Sequence, residues 1–197
     1  NGVEAVTWLS GVLPVTGTYT VMVFDSAGDE TGTYGLTVGS VGGSTPIVDG
    51  DSVAIPSGIT RSGEYQSGDI DFYTTTLSIG SSLLINVAEP VATTAAPQVI
   101  IFDPAGVAIR NVAGVVGIDT IVSDVTVAGT YTVAVIEQFG DVTGAYRLTG
   151  VIGNAATQPT DIDSGPLTGS ENRRGDIDPA DIDVYTIQGT QGSSLIV

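Results

Sequence analysis

Cysteine, histidine and lysine are all absent from this chain of 197 residues. Without cysteine the protein can form neither a disulfide framework nor a thiolate metal site. Without histidine or cysteine the Ser–His–Asp and Cys–His types of nucleophilic catalysis are excluded, and without lysine so is Schiff-base chemistry. Only carboxylates remain as catalytic groups, and a single tryptophan is too few to line a glycosidase cleft. The sequence therefore predicts a protein that is not an enzyme.

Positive charge is also scarce, because five arginines stand against 22 acidic residues and the formal net charge is −17. Such a surface repels phosphate, which excludes nucleic acid as a partner and disfavours contact with an anionic membrane. No apolar run approaches the length of a transmembrane helix, so we predict no membrane insertion. Divalent cations are the natural partners of a surface with so many carboxylates. The alternative is that the charges only keep the protein soluble.

What the sequence does contain is typical of β-strands. It is rich in Gly, Thr and Val, 42% of its residues are hydrophobic, and its mean hydropathy is +0.32. Apolar residues alternate with polar ones, as where Tyr131, Val133 and Val135 alternate with threonine, which predicts one buried face and one Thr-rich face. The apolar run at Gln98–Phe102 ends in an Asp-Pro-x-Gly turn. We predict an all-β protein with seven or eight strands in the central part of the chain.

The strongest signal is an internal repeat with a period of 112 residues. Gly17–Val21 recurs as Gly129–Val133, and the first 85 residues share 31 identities with the last 85, without a gap. Low-complexity stretches near residues 39–44 and 153–159 read as linkers. The predicted domains are the end of one repeat at residues 1–41, a complete repeat at 45–152, and the start of another at 157–197.

Half of a β-sandwich exposes its core and its strand edges, and is not expected to be stable alone. Three explanations are open for the two half-repeats. The chain is a window on a longer array, or its two halves meet within the chain, or the tail of one subunit (residues 157–197) completes the head of the next (residues 1–41). The last two explanations have a shortcoming, because neither half contains a counterpart of Asn86–Val112. A domain composed of the two halves would therefore miss the strand at Val99–Phe102.

Five motifs in order resemble the bacterial pre-peptidase C-terminal domain. They are Gly68–Tyr73, Gly80–Leu83, Ile101–Gly106, Ala128–Val133 and Gly144–Leu148. The resemblance implies secreted, non-catalytic, tandem jelly-roll-like antiparallel β-sandwich domains that accompany proteases and other surface proteins. It also implies calcium, because the related collagen-binding domains of bacterial collagenases bind that ion. No peptidase domain accompanies the repeats in this chain.

Acidic residues recur in the same register in both repeats, and the tail adds Asp178 between two of them. A hard cation such as Ca²⁺ takes six to eight oxygen ligands, which clustered aspartates and backbone carbonyls supply. The alternative is that these aspartates accept hydrogen bonds from turn amides. The candidate calcium ligands are Asp49, Asp51, Asp69, Asp71, Asp161, Asp163, Asp176, Asp178, Asp181 and Asp183.

Four tyrosines, Tyr19, Tyr34, Tyr131 and Tyr146, recur near the ends of the repeats. They could contact a carbohydrate or collagen. Their alternation with threonine instead favours rings packed in the core, each with its hydroxyl hydrogen-bonded at an edge.

Three functions fit these patterns. The first is an extracellular structural protein whose repeats assemble into a cell-surface filament, sheath or S-layer-like array through contacts with other copies of itself. The second is an accessory module that holds a secreted protease on a protein or polysaccharide substrate, and the third is an adhesin. We favour the first, because the chain contains repeats and no active-site pattern.

Overall fold

The computed structural model describes residues 11–24, 32–33, 35–42, 53–91, 93–115, 117–153, 165–167, 172–192 and 194. Nine strands form a central sandwich between residues 53 and 153, and two short strands follow it. The part of the chain that the structure describes has no helix of the length and hydrophobicity needed to cross a membrane. The strands are β1 Val53–Ala54, β2 Ile59–Tyr65, β3 Asp71–Leu77, β4 Ser82–Ala88, β5 Pro97–Phe102, β6 Ala108–Ala113, β7 Gly117–Val122, β8 Gly129–Glu137, β9 Gly144–Gly153, β10 Gly165–Leu167 and β11 Tyr185–Ile187.

Two sheets face each other in the central sandwich. One has the order β1-β3-β8-β5-β6 and the other β2-β9-β4-β7. Strands β2 to β9 follow the jelly-roll order, in which the first strands of the domain lie beside its last, as β2 lies beside β9 and β3 beside β8. The predicted jelly-roll-like β-sandwich is therefore confirmed. It is antiparallel except at its margin, where β1 is parallel to β3.

The core between the sheets follows the predicted alternation of residues. Leu83, Ile85 and Val87 of β4 are buried, while their neighbours along the strand are only half-buried. From the opposite sheet, Val99 and Val133 enter the same core. These side chains interdigitate over the full length of both sheets, and their removal from water is the main favourable term in the stability of the fold.

The outer face of the five-stranded sheet differs from the prediction. A Thr-rich face was expected opposite the core side of β8, but Ala134 and Ile136 on that face are buried. They form a second apolar cluster with three residues of neighbouring strands, and Val41 and Ile70 pack over it. The prediction failed because alternation within β8 cannot reveal that another segment of the chain covers its outer face. The second cluster also contains Phe72, Ile100 and Phe102.

The two short C-terminal strands repeat a pairing found in the central sandwich. Strand β1 lies parallel to β3 with Val53 opposite Tyr73. Strand β10 lies parallel to β11 with Gly165 opposite Tyr185. Each residue of the second pair is 112 positions after its counterpart in the first, so the pairing register and the sequence register coincide.

Candidate functional site

Several strands of both sheets meet at one end of the sandwich, and polar side chains collect there. Strands β2, β4 and β8 end at this pole, while β3, β5 and β9 begin there. Strand β2 contributes Tyr65, β3 contributes Asp71 and Tyr73, and β9 contributes Tyr146. All four side chains are buried. We call these four residues the tyrosine cluster.

The hydroxyl of Tyr146 joins the two sheets within this cluster. It donates a hydrogen bond to Oδ2 of Asp71 on the opposite sheet. It also lies 2.6 Å from the hydroxyl of Tyr73. The ring of Tyr65 stacks on the ring of Tyr146, with centroids 4.6 Å apart and planes at 27°. The cluster therefore combines a charge-assisted hydrogen bond with aromatic packing across the core.

Gly63 makes room for this arrangement. It lies directly opposite Tyr146 in the β2–β9 ladder. A Cβ atom at this position would lie 2.2 Å from Cζ of the Tyr146 ring, far inside van der Waals contact. The ring thus lies over the glycine backbone, and the absence of a side chain at residue 63 sets its position.

Burial favours the protonated form of two tyrosines of the cluster. It raises the pKa of Tyr146 above the usual value of about 10, and the neighbouring Tyr73 and Asp71 raise it further. Burial is also the main cause of the raised pKa of Tyr65, with smaller contributions from the Glu89 and Glu137 carboxylates. The protonated Tyr146 phenol can therefore donate the hydrogen bond to Asp71.

Two glutamates at the same pole hold the loops that close the sandwich. Oε1 of the buried Glu137 accepts a hydrogen bond of 2.9 Å from the amide of Ala96, and its Oε2 accepts one of 3.1 Å from the amide of Asp141. Oε2 of Glu89 accepts hydrogen bonds from both the amide and the hydroxyl of Thr93. The sequence singled out neither glutamate as a ligand, and their role here is to satisfy loop donors.

The predicted calcium ligands of the central repeat lie in different surroundings. Asp71 is buried in the tyrosine cluster, where its Oδ2 accepts the hydrogen bond from the hydroxyl of Tyr146. Asp69 is half-buried in the β2–β3 turn, where its Oδ1 accepts a 2.9 Å hydrogen bond from the amide of Ile70. Asp49 and Asp51 lie outside the described residues.

The predicted calcium ligands of the tail also differ from one another in their contacts and exposure. Oδ1 of Asp181 accepts a 2.9 Å hydrogen bond from the amide of Ile182, which is the turn contact of Asp69 repeated. Asp176 and Asp178 are exposed, and Asp183 is half-buried. Asp161 and Asp163 lie outside the described residues.

Among the residues that the structure describes, no three acidic side chains come together in a group able to hold a metal ion. The turn contacts of Asp69 and Asp181 match the alternative reading, in which the carboxylate caps a turn. Calcium binding stays a prediction, since four of its ten proposed ligands fall in parts of the chain without described coordinates.

Local geometry in the tail repeats that of the central sandwich at the same offset of 112 residues. The amide of Asp69 donates to the carbonyl of Gln66 at 3.2 Å, and that of Asp181 donates to the carbonyl of Asp178 at 2.9 Å. Gly68, with φ of 74°, is matched by Ala180, with φ of 64°. A non-glycine residue rarely adopts this left-handed conformation, so the turn is held by its surroundings rather than by local preference.

Local geometry in the head repeats another part of the sandwich. The hydroxyl of Tyr131 donates to the carbonyl of Val127 at 2.8 Å, and that of Tyr19 donates to the carbonyl of Val15 at 2.6 Å. This is the edge hydrogen bond predicted for these tyrosines. The Tyr131 ring is buried as predicted, whereas the ring of Tyr19 is exposed. Tyr34 lies outside the described residues.

The head also contacts the central sandwich. Gly35 lies against the β2–β3 turn, where a Cβ atom on it would be 3.5 Å from the carbonyl oxygen of Ser67. The hydroxyl of Thr37 donates to the carbonyl of Gly68. At the other end, Arg147, the counterpart of Gly35, forms an ion pair of 3.9 Å with Asp178 in the β2–β3-like turn of the tail. Both contacts place a closing segment of one unit against the same turn of the next.

No protein-family profile and no curated protein matches this sequence. Solved structures do match it. The periplasmic inhibitor of g-type lysozyme from Aeromonas hydrophila is 14% identical, covers 52% of this chain and 98% of its own, and has a TM-score of 0.40. An Escherichia coli inhibitor of the same kind, solved as a mutant, is 19% identical, with 53% and 100% covered and a TM-score of 0.37.

The pre-peptidase C-terminal domain of a collagenase from Bacillus anthracis is also similar. It is 13% identical, covers 50% of this chain and 93% of its own, and has a TM-score of 0.39. The sequence motifs resemble domains of this kind, and the strand order of the structure is that of a jelly-roll β-sandwich.

Proposed function

We propose that this protein is a non-catalytic extracellular structural protein whose β-sandwich repeats join end to end in a cell-surface filament, sheath or S-layer-like array. The sequence resemblance to secreted pre-peptidase C-terminal domains supports the extracellular location. The −17 net charge keeps such an array soluble until specific contacts form.

The exposure of core-type side chains in the head carries this proposal. Val21 is 57% exposed and Leu36 is 55% exposed, whereas their counterparts Val133 and Leu148 are fully buried in the central sandwich. Exposed apolar side chains of this kind mark a surface that packs against further protein, either another part of the array or a neighbouring copy. The contact of each closing segment with the β2–β3 turn of the next unit supports a repeated junction along the array.

Sedimentation velocity over a range of protein concentrations, followed by negative-stain electron microscopy, tests the proposal. We expect the sedimentation coefficient to rise with concentration and the micrographs to contain end-to-end chains of particles. A product that stays monomeric at every concentration would contradict it. That result would favour the alternative, an accessory or adhesion module that binds an extracellular protein or polysaccharide.

A further inference from the structure

We infer that consecutive repeats of this protein stack face to face, with the outward side of the closing strand of one repeat packed on the outer face of the five-stranded sheet of the next. The closing strand of the central repeat is β9, and its counterpart in the head at the 112-residue offset is residues 35–41. We call residues 35–42 the closing segment. The inference goes beyond the proposed function, because it describes contacts within one chain and does not depend on the association of copies.

The closing segment begins at the tyrosine pole and runs across the outer face of the five-stranded sheet. The hydroxyl of Thr37 donates to the carbonyl of Gly68 in the β2–β3 turn. Two residues later, a Cβ atom on Gly39 would overlap the ring of Phe72, so the backbone of the segment lies directly on that ring. Val41 then packs on the second apolar cluster, to which Phe72 also belongs.

The closing segment reaches the opposite pole at the β5–β6 turn. A Cβ atom on Gly42 would lie 2.8 Å from the amide nitrogen of Gly106. Both glycines have positive φ, 86° and 81°, so the two backbones approach at positions where a side chain would hold them apart. The step from residue 35 to residue 42 spans up to about 23 Å of extended chain, as much as the 7 residues of β3. The segment therefore covers the sheet from pole to pole.

The alternation of side chains shows which side of the closing segment makes these contacts. In β9, Tyr146 and Leu148 point into the core, so residues 147, 149, 151 and 153 lie on the outward side. Their counterparts are residues 35, 37, 39 and 41, and these are the residues that contact the central sandwich. Leu36 and Val38, on the core side, are 55% and 69% exposed. The contact thus uses the outward side and leaves the core side of the segment for its own repeat.

The junction between the central repeat and the tail has the same features. Arg147, on the outward side of β9, forms the ion pair with Asp178. Thr149 and Val151 are buried although they lie on the side of β9 that faces away from the core. Ala180 is buried as well, and it occupies the position in the tail that the glycine of the β2–β3 turn occupies in the central repeat. Two successive junctions therefore use the same side of the closing strand.

Residue sizes at the two junctions are complementary. The first junction places Gly39, which has no side chain, on the large ring of Phe72. At the 112-residue offset these two positions hold Val151 and Val184, which are both of intermediate size. The total volume of the pair stays similar while its division between the two repeats changes, as expected for two residues that pack on each other.

Disulfide formation in a double-cysteine variant tests the position of the closing segment, because the natural chain contains no cysteine. A Cβ atom on Gly35 would lie 4.0 Å from Cα of Gly68, and one on Gly68 would lie 3.6 Å from Cα of Gly35. We expect Gly35→Cys/Gly68→Cys to form a disulfide within one chain under mild oxidation. The matched control is Gly32→Cys/Gly68→Cys, since a Cβ atom on Gly32 would have no atom within 4 Å. A loosely tethered segment would cross-link both variants alike, whereas we expect the control to react at least about fivefold more slowly.

A size exchange between the two repeats tests the stacked faces themselves. We expect Gly39→Val, added to Gly35→Cys/Gly68→Cys, to slow the cross-link about fivefold, because the new side chain would overlap the Phe72 ring. Adding Phe72→Val makes room and recreates the valine pair of the second junction, so the rate should return to within about twofold of the parent. Ser40→Val is the matched control on the other side of the segment, and it should leave the rate unchanged.

Equal cross-linking of the Gly35→Cys and Gly32→Cys variants would overturn the inference. A rate that Gly39→Val leaves unchanged, or that Phe72→Val fails to restore, would show that residues 39 and 72 do not pack on each other and would overturn it too. The first comparison alters no core side chain, so it decides the question even where a valine variant unfolds. All rates are measured at concentrations where sedimentation detects single chains only, so a failure of the proposed assembly would leave this result unaffected.

Discussion

At the scale of single residues, the pole of the sandwich depends on one tyrosine hydroxyl and on the glycine beneath its ring. Tyr146 reaches from β9 to Asp71 on the opposite sheet, so its hydroxyl links the two sheets directly at this pole. Gly63 is the residue that lets the ring take this position. Tyr146 and Gly63 depend on each other, because the position of the ring over the glycine sets the geometry of the hydrogen bond to Asp71.

We expect Gly63→Ala to destabilise the protein by about 1–3 kcal/mol, the usual cost of forcing extra volume into a packed core. The added methyl group would overlap the Tyr146 ring, which must move and weaken its contact with Asp71. Urea unfolding followed by tyrosine fluorescence measures the change. Gly153→Ala is the matched control, because it lies at the end of β9 with no atom within 4 Å of the new methyl group. Equal effects of both substitutions would show that the Tyr146 ring does not depend on Gly63.

At the scale of elements, the β2–β3 turn can distinguish the two interpretations of the aspartates, which are turn capping and calcium binding. Its carboxylate either caps the turn or also binds calcium. Asp69→Asn keeps an oxygen that can accept from the Ile70 amide but removes the charge that a cation requires. Asp69→Ala removes both, at a cost of about 0.5–1.5 kcal/mol for the lost hydrogen bond.

We predict that a chelator lowers the melting temperature of the natural protein by several degrees, as expected for an ion that binds only the folded state. The Asp69→Asn variant should melt at nearly the same temperature with and without chelator. Differential scanning calorimetry with added Ca²⁺, and then with excess chelator, measures both effects. If the chelator leaves the natural protein unchanged, the calcium prediction is wrong and turn capping is the role of Asp69.

The elements also show how far sequence reasoning reaches. Alternation located β4 and the core side of β8, and the Asp-Pro-x-Gly turn correctly ended β5, because each of these signals lies within a few consecutive residues. Two features depend on contacts between distant segments and escaped prediction: the covered outer face of β8 and the roles of Glu89 and Glu137 at the pole. Tyr131 and Tyr146 were correctly assigned to the core, whereas Tyr19 is exposed. Nothing in the tyrosine spacing revealed that Tyr146 and Asp71 share a hydrogen bond across the sheets.

At the scale of the whole molecule, the absence of histidine, lysine and cysteine leaves tyrosine as the side chain that titrates around pH 10. Folding raises the pKa of Tyr65, Tyr131 and Tyr146 from that value. Above pH 10 the unfolded chain releases protons from these phenols while the folded chain keeps them. The unfolded state therefore binds fewer protons, and stability must fall as the pH rises.

We expect the free energy of unfolding to decrease above pH 10 by about 1.4 kcal/mol per pH unit for each phenol that the folded state keeps protonated. Urea unfolding at a series of pH values measures this slope. Tyr146→Phe removes one of these phenols, so its slope should be shallower by about 1.4 kcal/mol per pH unit, even though its stability at neutral pH is lower. Leu83→Ala serves as the control, because it lowers stability by removing buried apolar volume at the other end of β4 and should keep the full slope. A Tyr146→Phe slope equal to that of Leu83→Ala would mean that the Tyr146 phenol ionises as readily in the folded state as in the unfolded one. The hydrogen bond to Asp71 would then not hold its proton.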